Sequence, residues 1–127
     1  MDFTYRIDKA TRIVYLQGPT PDIEGWKQTF LNLFADLDYE KGFDFLFDRR
    51  SIEVLGSTQF IKATISFFSS HKEQIEGCKW AIVISSTAAF GLGRMAQILS
   101  EDILGEMQIF TDIDKARQWL IESRKPV

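Results

Sequence analysis

Phe43-Asp44-Phe45-Leu46-Phe47-Asp48-Arg49-Arg50 is the stretch on which the fold turns. Its apolar part, Phe43 to Phe47 with only Asp44 interrupting, is too short for a helix and too apolar for a half-solvated strand. It reads as an inner strand ending at Asp48. The charges of Asp48, Arg49 and Arg50 then stand at its carboxyl end. An inner strand needs a neighbour on each side and a layer on each face, and the flanking sequence can supply both.

Toward the amino terminus, Phe3, Tyr5 and Ile7 alternate with polar neighbours, and Ile13 to Leu16 form a second apolar run after the turn-like Asp8-Lys9-Ala10-Thr11. That pattern predicts an antiparallel hairpin. Toward the carboxyl terminus, Lys79 to Ile84 reads as another buried strand and Met107 to Phe110 as a short last one. Helical spacing fills the intervals. Gly18-Pro19-Thr20-Pro21 breaks the hairpin, with Thr20 placed to cap a first helix and Pro21 at its first position. Ile23, Trp26, Phe30, Leu33, Phe34 and Leu37 would form its buried face, with Asp22 and Glu24 in its first turn.

A second helix, capped by Ser57 or Thr58 and ending near Ser69-Ser70, carries Phe60, Ile61, Ile65, Phe67 and Phe68, more than one apolar stripe. A third, Ala88 to Glu101, bears Phe90, Leu92, Met95, Ile98 and Leu99 and is weakened by Gly91 and Gly93. Thr111 and Asp114 stand at capping-box spacing before a closing helix marked by Ile113, Ala116 and Leu120. Strands alternating with helices predict right-handed crossovers and a mostly parallel sheet. The expectation is an α/β fold, one domain over residues 1–127, with about five strands and four helices.

Composition narrows the function classes. A chain of 127 residues, 45% apolar and 26% charged, suits a globular domain with a substantial core. Apolar runs such as Trp80 to Ile84 fall far short of the roughly 20 residues that cross a bilayer. Asp2 and the lack of a signal-like apolar segment leave export unsupported, so a cytoplasmic location is expected. A net charge of −3 argues against general affinity for nucleic acid. The single Cys78 is expected to be a small buried thiol.

Several residues invite a chemical reading. Gly91-Leu-Gly93-Arg-Met-Ala96 matches a dinucleotide-binding pattern, with Asp112 about where a ribose acid would fall, but Ser85 to Phe90 separate it from the strand. Its glycines read better as packing positions. His71 is the sole histidine and, with Lys72 and Glu73 beside it, is expected to be exposed at the end of helix two. No metal site and no cofactor are expected. Asp48, Arg49 and Arg50 lie where open α/β sheets build their sites, near Ser85, Ser86 and Thr87 and the helix amino ends, and there they suit an anion. Surface ion pairing is the alternative. Phe60, Phe67 and Phe68 with Phe90, Leu92 and Met95 either line an apolar cavity or are core.

In Leu16-Gln-Gly18, Phe45-Leu-Phe-Asp48-Arg49-Arg50, Trp80-Ala-Ile-Val-Ile84, Phe90-Gly-Leu-Gly-Arg-Met95 and Ala116-Arg-Gln-Trp119-Leu120, the chain resembles the SpoIIAA-like proteins. These are a branch of the STAS-like fold that is also compared with lipid-binding SEC14 domains. The resemblance implies a non-catalytic module with an apolar cavity for a lipid-like molecule, helices two and three forming its lid. Arg49, Arg50 or Arg94 would hold an acidic head group. STAS anti-sigma-factor antagonists are phosphorylated on a serine at the start of the helix after the central strand. The matching position is Ser57, although Gly56 replaces the usual preceding acid. Alternatives are therefore a phosphorylation-regulated protein-interaction switch and a small enzyme using Asp48 on an anionic substrate. A protein partner and a homodimer are further expectations, the latter from helices apolar beyond one stripe.

Overall fold

The computed structural model describes residues 3–18, 22–50, 58–85 and 106–123. Five strands, β1 (Thr4–Asp8), β2 (Ile13–Gln17), β3 (Asp44–Asp48), β4 (Trp80–Val83) and β5 (Met107–Phe110), form one sheet in that spatial order. β1 and β2 are antiparallel and every later pairing is parallel, so the mixed α/β architecture is as the sequence predicts. The described helices are α1 (Ile23–Ala35), α2 (Thr58–Ser70), the short α3 (Lys72–Ile75) and α4 (Ile113–Ser123). The expected helix over Ala88 to Glu101, with Phe90, Arg94 and Met95, lies outside the described residues, as do Ser57, Ser86 and Thr87.

Alternation along the strands sends side chains into two cores. Val14, Leu16, Phe45, Phe47, Trp80 and Ile82 face the α1 and α2 layer, where Trp26, Phe30, Phe67 and Phe68 meet them. Ile13, Tyr15, Leu46, Ala81 and Val83 face the other way, onto Ala116 and Leu120 of α4. Cover on both faces is why the inner strands carry almost no polar residue. Apart from Gln17 and Asp48 at the strand ends, the exception is the buried Asp44, 1% exposed, whose carboxylate accepts the Lys79 N–H at 2.9 Å. Cys78 is buried, as expected.

The hairpin turn is built by Asp8, whose Oδ1 accepts from the N–H groups of Ala10 (3.0 Å) and Thr11 (3.3 Å). Arg12 completes it at φ 61°, in the left-handed region, with its guanidinium 4.9 Å from the Phe43 ring centre.

Three local expectations are corrected. The cap of α1 is Asp22, whose carboxylate accepts from the Gly25 N–H at 2.7 Å, rather than Thr20, which lies outside the described residues. Likewise Asp112, accepting from Asp114 (2.8 Å) and Lys115 (3.3 Å), caps α4 in place of a Thr111–Asp114 box. At α4 the charged acceptor directly before the first turn outcompetes the Thr111 hydroxyl one residue further out. Leu37 is 99% exposed, not part of the α1 face. Asp36 ends the helix in an extended conformation, its carboxylate engaged by Tyr5 Oη (2.8 Å) and the Asp38 N–H (2.9 Å), and the chain turns before Leu37 can join the stripe.

His71 also departs from expectation. It is half-buried, its ring stacked 4.3 Å from that of Phe67 and its Nδ1 2.9 Å from the Phe67 carbonyl oxygen. The chain bends where α2 gives way to α3, and the imidazole folds back over the helix end instead of projecting into solvent.

Candidate functional site

The carboxyl ends of β3 and β4 gather the charged residues singled out from the sequence, and the pleat then separates them. Asp48 and Arg50 form a tight pair: Arg50 Nε donates to Oδ1 at 2.9 Å, Nη2 to Oδ2 at 2.8 Å, and the Arg50 N–H to Oδ1 at 3.2 Å. Ser85 Oγ donates to the Arg50 carbonyl at 2.8 Å, tying the end of β4 to this turn. The hydrogen bonds from Arg50 hold the Asp48 carboxyl below the usual carboxylate range against the opposing effect of partial burial. Asp48 is thus a structural anion rather than a poised proton carrier.

Arg49 goes the other way. Its N–H continues the sheet by donating to the Val83 carbonyl at 2.8 Å, while its side chain, 7% exposed, turns to the α1–α2 side, 5.8 Å from the Phe3 ring centre. Burial brings its pKa down to about 10, still fully charged at neutral pH. The Asp48, Arg49 and Arg50 cluster read from the sequence is therefore split between the two faces of the sheet.

The aromatic residues of α2 also divide. Phe67 and Phe68 are buried, at 5.5 and 5.0 Å from the Trp26 ring, and belong to the packed core. Phe60 lies about two turns nearer the start of α2 and is half-buried, 6.3 Å from Trp26. At the amino end of the same core Phe45 and Trp80 stack at 4.2 Å and are fully covered. One pleat further on, their counterparts Phe47 and Ile82, paired in register, are only half-buried. The next residues on this face, Arg49 and Ile84, are covered again, at 7% and 0% exposure, so Phe47 and Ile82 form a half-buried patch one step before the buried cation, with Phe60 of α2 packed against the same core. Phe47 and Ile82 were not among the sequence candidates, although spacing of two from Arg49 puts Phe47 on its face.

Across the sheet a cleft of about 210 Å³ lies beside α4, lined by residues that include Arg6, Tyr15, Gln17, Asp48 and Arg117. Sequence reading misses it because its walls come from β1, β2, β3 and α4, segments far apart in the chain. No group of three metal-ligating side chains occurs among the described residues, and no helix among them is long and apolar enough to cross a membrane. Compared with family models, curated proteins and solved structures, the chain matches none. Its chemistry has to be read from its own residues.

The Asp48 pairing sets a pH response. Because the folded pKa is depressed, its stabilising contribution is complete above the ordinary carboxyl value of 3.8 and is lost as pH falls through the lower folded value. Asp48→Asn should therefore unfold less steeply on acidification below about pH 4 than the parent, with the difference read from denaturation midpoints at pH 6 and pH 3. Partial exposure keeps the effect below about 1 kcal/mol.

Proposed function

We propose that this chain is a non-catalytic binding module of the SpoIIAA-like, STAS-like kind that takes an apolar, acid-headed molecule between the α1–α2 layer and the sheet. The observation that supports the reading is the buried Arg49 cation, one step beyond β3 on the face of the half-buried Phe47, whose register partner Ile82 is half-buried too, with Phe60 of α2 packed on the same core. An apolar body would extend the core over Phe47 and Ile82, removing about 25 cal/mol of unfavourable hydration per Å². Its carboxylate would meet a guanidinium already withdrawn from bulk water, where charge-assisted hydrogen bonds are strong. Pockets of this kind are apolar with a few fixed polar anchors. An enzymatic reading is less well supported, since Asp48 is occupied by Arg50 and turned to the opposite face.

The test is titration of the protein with a fluorescent fatty acid, dansylamino-undecanoic acid, followed by displacement with oleate. A saturable blue-shifted emission displaced by oleate is expected. Phe60→Ser and Arg49→Gln should each raise the Kd about tenfold, the equivalent of ~1.4 kcal/mol. Absence of saturable binding would overturn the reading, and so would affinities unchanged in the half-exposed Phe60→Ser variant.

A further inference from the structure

We propose a second binding site, on the α4 side of the sheet, for a small monocarboxylate with an apolar body. α4 packs on β3, β4 and β5, and the cleft of about 210 Å³ opens where this cover gives way to the hairpin. That space corresponds to about seven water molecules at ~30 Å³ each, enough for a compact organic acid and too little for a long acyl chain. Leu46 and Ile113 supply an apolar wall, continuous with the second core, and Tyr15 an aromatic one.

The sign of the site follows from its cations. Arg6 lies over the Tyr15 ring at 4.3 Å and takes part in no salt bridge with the described residues. Among the described residues Arg117 is paired only within its own helix, to Asp114 at 2.8 Å, in a contact whose side chains are 48% and 78% exposed. Exposed pairs of this type are worth little, so the Arg117 guanidinium can be shared with a ligand. Asp48, the one acid in the lining, is neutralised by the two-pronged Arg50 contact. Two guanidinium groups in the lining of a half-apolar cleft are the complement of a carboxylate on a compact hydrophobic body, with the Gln17 amide as a further donor. Phosphate has no apolar body to cover Leu46 and Ile113 and should bind more weakly.

This site shares no residue with the approach to Arg49, so the two readings stand or fall separately. The experiment is a titration of the isotope-labelled full chain with benzoate, its neutral analogue benzamide, and inorganic phosphate, followed by amide NMR. Benzoate is expected to shift the amides of residues 4–6, 15–17 and 113–117 saturably, with benzamide at least tenfold weaker. Arg6→Gln and Arg117→Gln should each raise the benzoate Kd about tenfold with the remaining spectrum unchanged, because both side chains are exposed. Equal response to benzoate and benzamide would overturn the proposal. So would an unchanged benzoate affinity when both arginines are replaced, binding of phosphate as tight as that of benzoate, or no saturable shift at these positions.

Discussion

Trp80→Ala should lower the unfolding free energy by about 3–5 kcal/mol, the range for removing a large buried aromatic side chain. Trp80 is 1% exposed and sits on β4 between Phe45 and Met107 in the sheet register. Its ring stacks on Phe45 at 4.2 Å and 8°, and lies 5.1 Å from Phe68 and 5.8 Å from Phe47. Truncation would take away the apolar area and leave a cavity bounded by sheet on one side and α2 on the other, neither able to collapse freely. Domains are stable by only about 5–15 kcal/mol, so the variant should approach the edge of folding at room temperature. Urea denaturation followed by far-ultraviolet circular dichroism reads this directly, with Trp80→Phe retaining most of the stability. A loss below about 1 kcal/mol for the alanine variant would mean that the two-sided packing is not what holds β4 in place.

Asp44→Ala comes next, at about 2–3 kcal/mol, although it removes a charge from an apolar strand. The carboxylate accepts the Lys79 N–H at 2.9 Å, while the Asp44 N–H donates to the Arg12 carbonyl at 3.0 Å. One residue thereby ties the start of β3 to the segments that enter β2 and β4. Alanine would leave the Lys79 N–H without its acceptor at a place the sheet keeps from water, and an unsatisfied buried donor costs more than the mean worth of a hydrogen bond. Asp44→Asn keeps an acceptor at the same reach and should lose less than half as much. Equal losses for the two variants would shift the explanation from the hydrogen bond to the charge.

Much of the architecture was legible because strands and helices announce themselves by period. The hairpin, the apolar runs at β3 and β4, and the Met107–Phe110 strand were read close to their observed bounds. Errors fell at ends and turns. The sequence pattern does not single out Asp22 and Asp112 as caps, and it extends the first helix to Leu37, past its end at Asp36. Such choices hang on one or two hydrogen bonds each, and a hydroxyl or carboxylate one residue away satisfies the same pattern. His71 was misjudged because neighbouring polarity says nothing about a ring folding back over its own helix.

The candidate sites were legible only in part. The charges at the end of β3 stood out, yet their separation onto opposite faces follows from the pleat and could have been counted: Asp48 on the side of Leu46, Arg49 on that of Phe47. The Arg6, Tyr15 and Arg117 cleft had no such signal, since local spacing cannot bring together residues separated by most of the chain.

By itself, the sequence determined the kinds and order of the elements and the alternation that gives the sheet two buried faces. These depend on the periods of helix and strand, which are local properties of the backbone. Only the tertiary structure decided how far the helices cover each face, leaving Phe47 and Ile82 half-buried on one side of the sheet and a cleft beside the hairpin on the other. Coverage is set by long-range packing and by the lengths and directions of whole elements, and no window of neighbouring residues contains that information.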